Sequence, residues 1–174
     1  MLETVIGEVV GKRSSWGSTT PASAANESLA KGIPTLQDGV YRPCSPMLKQ
    51  RFEQFGRWRE ASHGHWLSLD DMQSLWRADL DDEWLQEIAL QRRAGEEDWP
   101  NEASALFQHH RLSLFAGSDI GNEKIYLLWL DFEEEPQLWV YDANGESRYA
   151  NLHEYLLAYL SDDVSASERS WLTT

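Results

Sequence analysis

The polar and apolar positions divide the chain into an early part with helical spacing and a later part with strand spacing. From residue 45 onward Ser45 offers a cap, Pro46 a first helical position, and Leu48, Phe52 and Phe55 recur on one side. This predicts a helix running to about Trp58. Ser68-Leu69-Asp70-Asp71 has the form of a capping box, and Leu69, Met72 and Trp76 follow on one face, predicting a second helix that ends near Asp79. A third is predicted over Glu83–Arg93, with acids at its positive end, Arg92 and Arg93 at its negative end, Gly95 as its stop, and Trp84, Leu85 and Ile88 as its inward stripe.

Beyond residue 110 the period shortens. Arg111–Ala116, Glu123–Asp131 and Gln137–Asp142 are rich in β-branched and aromatic residues, and Asn144-Gly145 is a tight-turn pair that leads back through Ser147–Tyr149. Ile125–Leu130 is apolar on both alternating faces, which predicts a central strand covered on both sides. A closing helix follows, capped by Asn151 with Glu154 completing the box, and striped by Leu152, Tyr155, Leu156, Tyr159 and Leu160. The first 40 residues read less clearly: a short strand at Thr4–Val10, a small-polar stretch around Ser14–Ser23, and a weak helix over Ala22–Lys31 stopped by Gly32 and Pro34. Helices first, strands next and a final helix make an α+β domain, with helices flanking an antiparallel, or possible mixed, sheet.

Size fits this reading, because 174 residues make one domain of ordinary size. No run approaches the ~18 apolar residues of a membrane span. The N-terminus carries acids where a secretion leader would be basic, and the single Cys44 forms no internal disulfide, so the expected compartment is the cytoplasm. Charge alters the functional picture more. The chain has a formal net charge of −14; residues 1–65 hold 8 bases and 6 acids, whereas residues 66–174 hold 7 bases and 23 acids. Such a surface repels phosphate, which argues against direct nucleic-acid or anionic-lipid binding and leaves solubility or a partner-binding face as its role.

Reaction chemistry finds little foothold. His63-Gly64-His65, His109-His110 and Cys44 are metal-ligand types, but their spacing matches no metal motif, and a His-based metal enzyme is the weakest of the alternatives. Cys44 between Pro43 and Ser45 reads as an inert thiol, and Gly117–Asn122 as a strand-to-strand turn without the lysine and helix of a phosphate loop. No catalytic residue, metal ligand or cofactor is assigned. Among nine tryptophans, Trp58, Trp76, Trp84 and Trp129 fall on inward stripes; Trp66, Trp99 and Trp139 are open. In Leu138-Trp139-Val140-Tyr141 the aromatics share one face, and an exposed Trp139/Tyr141 pair would form a binding anchor.

Three ordered pieces between about Trp66 and Leu160 resemble the SUKH superfamily of Smi/Knr-like proteins. They are Leu67-Ser68-Leu69-Asp70-Asp71-Met72 with Trp76; Leu114–Asp119, Gly121-Asn122 and Ile125–Leu130; and Val140-Tyr141-Asp142, a glycine turn, and Asn151-Leu152-His153-Glu154-Tyr155-Leu156. Gly32-Ile33-Pro34 and Phe55-Gly56 match the family's opening only in part. The resemblance implies a SUKH-like α+β domain over 41–160, an N-terminal segment 1–40 that packs on it or stays apart, and a C-terminal tail 161–174. It also implies a bacterial immunity protein that neutralises a cognate polymorphic toxin by direct binding without catalysis. A regulatory scaffold of the same fold is the alternative. A nuclease toxin needs a basic surface, and the expected contact residues for it are Asp81, Asp82, Glu83 and Glu87 on one helix, Glu133, Glu134 and Glu135 in a loop, and Trp139 and Tyr141.

Overall fold

A computed structural model describes residues 1–17, 23, 28–98, 105–143 and 145–163. The expected Trp99 and Trp171 lie outside the described residues, as does most of the C-terminal tail. Its elements, in chain order, are α1 (Leu2–Ser15), β1 (Ile33–Pro34), β2 (Tyr41–Arg42), α2 (Pro46–Gln54), β3 (Trp58–Ser62), β4 (Gly64–Trp66), α3 (Leu69–Ser74), α4 (Glu83–Asp98), β5 (Leu112–Gly117), β6 (Lys124–Leu128), β7 (Gln137–Asp142), β8 (Gly145–Tyr149) and α5 (Leu152–Leu160). Short 3₁₀ turns at Leu29–Lys31, Leu75–Arg77, Ala105–Phe107 and His109–Arg111 join them. The fold is α+β. Strands β3 to β8 form a wholly antiparallel six-stranded meander in sequence order, and β1 pairs with β2 separately.

The predicted caps form. Ser45 Oγ accepts from Leu48 N at 3.4 Å, Ser68 and Asp71 bond reciprocally at 3.0 and 2.9 Å, and Asn151 Oδ1 accepts from Glu154 N at 3.0 Å. Strand β6 is buried at all five positions and lies inside the sheet, as its two-sided apolar run requires.

Four expectations are corrected. Thr4–Val10 is helix, not strand, because Leu2, Val5, Ile6 and Val9 repeat at helical spacing and all four are buried. The helix expected to reach Trp58 stops at Gln54, and Trp58 opens β3, where it meets Phe55 edge-on at 5.1 Å and Trp66 at 5.2 Å. Of the helix expected over Ala22–Lys31, Ala22 and residues 24–27 lie outside the described residues, Ser28 is extended, and Leu29–Lys31 is a 3₁₀ turn. Helix α4 does not stop at Gly95 but runs through it to Asp98. A Cβ at Gly95 would stand 2.6 Å from the Phe107 ring, so this glycine is there for close packing rather than for a helix end.

The sheet is covered on both sides. Helices α1, α2 and α5 lie on one, over Trp66, Phe115, Leu138 and Tyr149, with Tyr155 of α5 meeting Tyr149 edge-on. On the other, α4 and the Ala105–Phe107 turn cover Lys124, Tyr126 and Trp139, the alternate positions of β6 and β7. Helix α1 is fixed at its far end by Lys12, whose Nζ donates to Tyr159 O at 3.0 Å and Leu160 O at 3.3 Å and pairs with Asp162 at 2.8 Å. A lysine from one helix thus caps the carbonyl end of another.

Candidate functional site

The two acidic segments lie at opposite ends of the sheet. Asp81, Asp82 and Glu83 open α4, beside the β5–β6 loop, whereas Glu133–Glu135 occupy the β6–β7 loop. Those loops leave opposite ends of β6, whose five residues span about 17 Å. The acids therefore form two surfaces, each to be judged by which charges are already engaged.

At the β6–β7 end most of the charge is committed. Glu135 accepts from Met47 N at 2.9 Å in the first turn of α2, and Glu133 takes the Gln137 amide at 3.0 Å on both oxygens. Arg42 and Arg111 converge on Asp131 at 3.2 and 2.8 Å and hold its carboxyl below the ordinary range. Glu134 is exposed. A cavity of about 320 Å³ here is lined by Arg42, Cys44, Asp131, Glu133 and Glu134. The Cys44 thiol in it is pushed up to about 11 by burial and by Glu135 and Glu53, which keeps it protonated and unreactive at neutral pH.

At the β5–β6 end the charge is more available. Asp81, Glu83 and Asp119 are exposed and Asp82 is half-buried. Asp82 Oδ1 accepts from Leu85 N at 3.2 Å, the capping bond expected of an acid at a helix start, and Asp119 Oδ2 takes His65 Nε2 at 3.0 Å. A cleft of about 250 Å³ opens between them, with Asp71, Arg57, Leu75 and Trp84 completing its wall. Arg57 faces Asp71 at 3.5 Å.

Three expected contact residues do not stand on either surface as foreseen. Trp139 is fully buried, stacked on Tyr126 at 4.6 Å and edge-on to Phe107 at 4.7 Å. It is no surface anchor, because α4 and its following turn cover the face it shares with Tyr126. Tyr141, at the end of the same strand, is half-buried. Glu87 does not lie opposite Trp84: it turns toward the sheet and pairs at 2.5 Å with Lys124, whose ammonium also lies 4.8 Å from the Trp84 ring. Its charge answers a fully buried cation, although solvent still reaches part of the carboxylate.

The histidines are likewise held within the fold. His63 and His65 flank the β3–β4 turn; His63 bonds Tyr155 Oη at 2.7 Å through Nδ1 and faces Asp142 at 3.3 Å through Nε2, while His65 Nδ1 accepts from Glu60 N at 2.8 Å. Gly64 between them has φ +92°, and a Cβ there would strike the Gly117 carbonyl at 2.4 Å, so only glycine lets this hairpin close on β5. His109 meets Arg92 at 3.1 Å, and burial together with that guanidinium lowers its pKa. Among the described residues no three His, Cys, Asp or Glu side chains converge as a metal would need.

No family model matches this chain, and neither a curated protein nor a solved structure is similar enough to it to give a match. The likeness to the SUKH superfamily stands on the sequence motifs alone. No helix among the described residues is long and apolar enough to cross a membrane.

Sequence reasoning missed Leu80, Trp84, Asp119 and Ile120 as surface features of the cleft end. Leu80 and Ile120 are 91% and 100% exposed. The signal was present: each is a lone aliphatic residue in a polar turn, Leu80 between Asp79 and Asp81, and Ile120 between Asp119 and Gly121.

Proposed function

We propose that this protein is a non-catalytic, cytoplasmic immunity protein of the SUKH kind that neutralises a toxin by binding its basic surface. The observation that carries the reading is the distribution of acid: 23 acids against 7 bases in residues 66–174, with Asp81, Glu83, Asp119 and Glu134 at the surface of a rigid two-sided scaffold. The SUKH-like order of motifs supports it, and so does the way the histidines and Cys44 are engaged in hydrogen bonds or kept inert by burial. Acidic surfaces speed encounter with a basic partner and give specificity, and a nuclease toxin carries such a basic surface for its substrate.

The test is co-expression. Cells producing the toxin encoded beside this gene are expected to survive when this chain is produced and to die without it. Equal killing in both cultures, or no toxin gene in the neighbourhood, overturns the reading.

A further inference from the structure

The cleft end carries two exposed aliphatic tips near an acidic opening, whereas the opposite end exposes one large apolar side chain, Phe132, beside its cavity. Leu80 stands at the tip of the turn closed by the Asp82 N to Asp79 O bond at 2.9 Å, almost wholly in solvent. Ile120 stands at the tip of the β5–β6 loop, where Ser118 Oγ accepts from Ile120 N at 3.3 Å and leaves the side chain fully outside. Asp82, two positions beyond Leu80, and Asp119, next to Ile120, line one and the same cleft, so an exposed aliphatic residue stands close in the chain to each of its two acids. Single exposed aliphatic residues are ordinary, but a pair beside one cleft can ring a central contact and keep water from it.

The cleft itself sets the charge of what enters. Of its ionised groups, Arg57 and Asp71 face each other, and Asp82 and Asp119 remain, each with one oxygen engaged. Among the described residues the second oxygen of each has no partner. Leu75 and the Trp84 ring supply an apolar wall behind them. A planar cation with an apolar stem suits such a wall, because guanidinium donates in a fork to carboxylates and stacks on aromatic faces. The other end is less suited, since Asp131 is already held by two arginines.

We infer that this cleft is the docking site for an arginine of a basic protein partner, with apolar residues of that partner meeting Leu80 and Ile120 on the turns beside it. The inference rests on the proposed function, since it names the surface through which the toxin would be held. Asp82 and Asp119 receive the guanidinium, Trp84 covers its plane, and the two aliphatic tips exclude water around it, as rim contacts do at binding hot spots.

The experiment is a titration of the full chain, followed by amide and indole NMR, with the peptide acetyl-Leu-Arg-Leu-amide. Saturable shifts are expected at the Trp84 indole and at the Asp119 and Ile120 amides. Binding should fall about tenfold when citrulline replaces arginine, or in the Asp82→Asn, Asp119→Asn variant, which keeps both internal hydrogen bonds. Leu80→Ser with Ile120→Ser should weaken it while leaving the unfolding midpoint in place. Absence of shifts, equal binding of the citrulline peptide, or shifts of equal size at Glu134 overturn the inference. The peptide reads the cleft without any toxin, so its failure removes the docking site and leaves the co-expression result to judge the proposed function separately.

Discussion

Each side of the sheet buries a cation, and the two are held by different means. On the α1, α2 and α5 side the Arg51 guanidinium is fully buried, donating to Phe55 O at 2.7 Å and Leu67 O at 2.8 Å, with its Cζ 4.0 Å from the Phe52 ring and 5.7 Å from that of Trp66. On the α4 side Lys124 is equally buried but set against the carboxylate of Glu87. A delocalised, weakly hydrated guanidinium can be shared among carbonyls and ring faces in several directions. A compact ammonium concentrates its charge and calls for an anion. One side therefore places its cation inside an aromatic cluster, and the other pins a helix to the sheet through that pair and, one turn on, through the bond the Tyr126 hydroxyl donates to Gln91 at 2.6 Å. Burial drives that hydroxyl far above the ordinary phenol range, so it stays a donor.

The strongest way to break this comparison is Arg51→Met. It strands two buried carbonyls and should cost about 3–5 kcal/mol, read from the urea midpoint. Arg51→Lys should not restore stability, because one ammonium does not reproduce the fork that spans Phe55 O and Leu67 O.

The α4 side should respond unequally to loss of its two partners. Glu87→Gln leaves Lys124 buried without its counter-charge and should cost about 2–4 kcal/mol; Lys124→Met leaves a carboxylate that solvent reaches, and should cost less. Replacing both by Met should recover most of the loss. Equal costs for the two single variants would mean that the pair is hydrated and that the comparison fails.

The smallest effect concerns pH. His109 beside Arg92 has a folded pKa below its unfolded one, so its contribution is fully present above the unfolded value of about 6.5 and is lost as pH falls from there toward the folded value. His109→Gln keeps an acceptor for Arg92 and should flatten the fall in urea midpoint over that window. No change in slope would place the titration elsewhere.

Much of the fold was legible because local and tertiary demands agreed. The capping sequences at Ser45, Ser68 and Asn151 produced caps, and β6 announced itself by being apolar on both alternating faces. Where one residue answers a distant neighbour, the sequence was silent. Gly95 reads as a helix stop until Phe107 is placed against it, and Glu87 reads as a solvated acid until Lys124 is found beneath it. Trp139 was ambiguous for the opposite reason, since its strand is covered on both faces and alternation marks neither as the outside. The N-terminal helix was misjudged although its spacing was visible: Leu2, Val5, Ile6 and Val9 mark a helical stripe that the β-branched residues Thr4, Val5, Ile6, Val9 and Val10 obscured. The acidic segments were recognised as a group, but their separation by the length of β6 depends on meander topology, which composition does not reveal.

The grip of Lys12 on the last carbonyls of α5 joins the start of the chain to residues some 147 positions later. During synthesis α1 leaves the ribosome with its oily flank bare, and of the elements that will cover it α2 and β3 follow soon while α5 comes about a hundred residues later. Full docking must wait for α5, so a chain cut before Tyr159 should be a stickier product that leans more on chaperones.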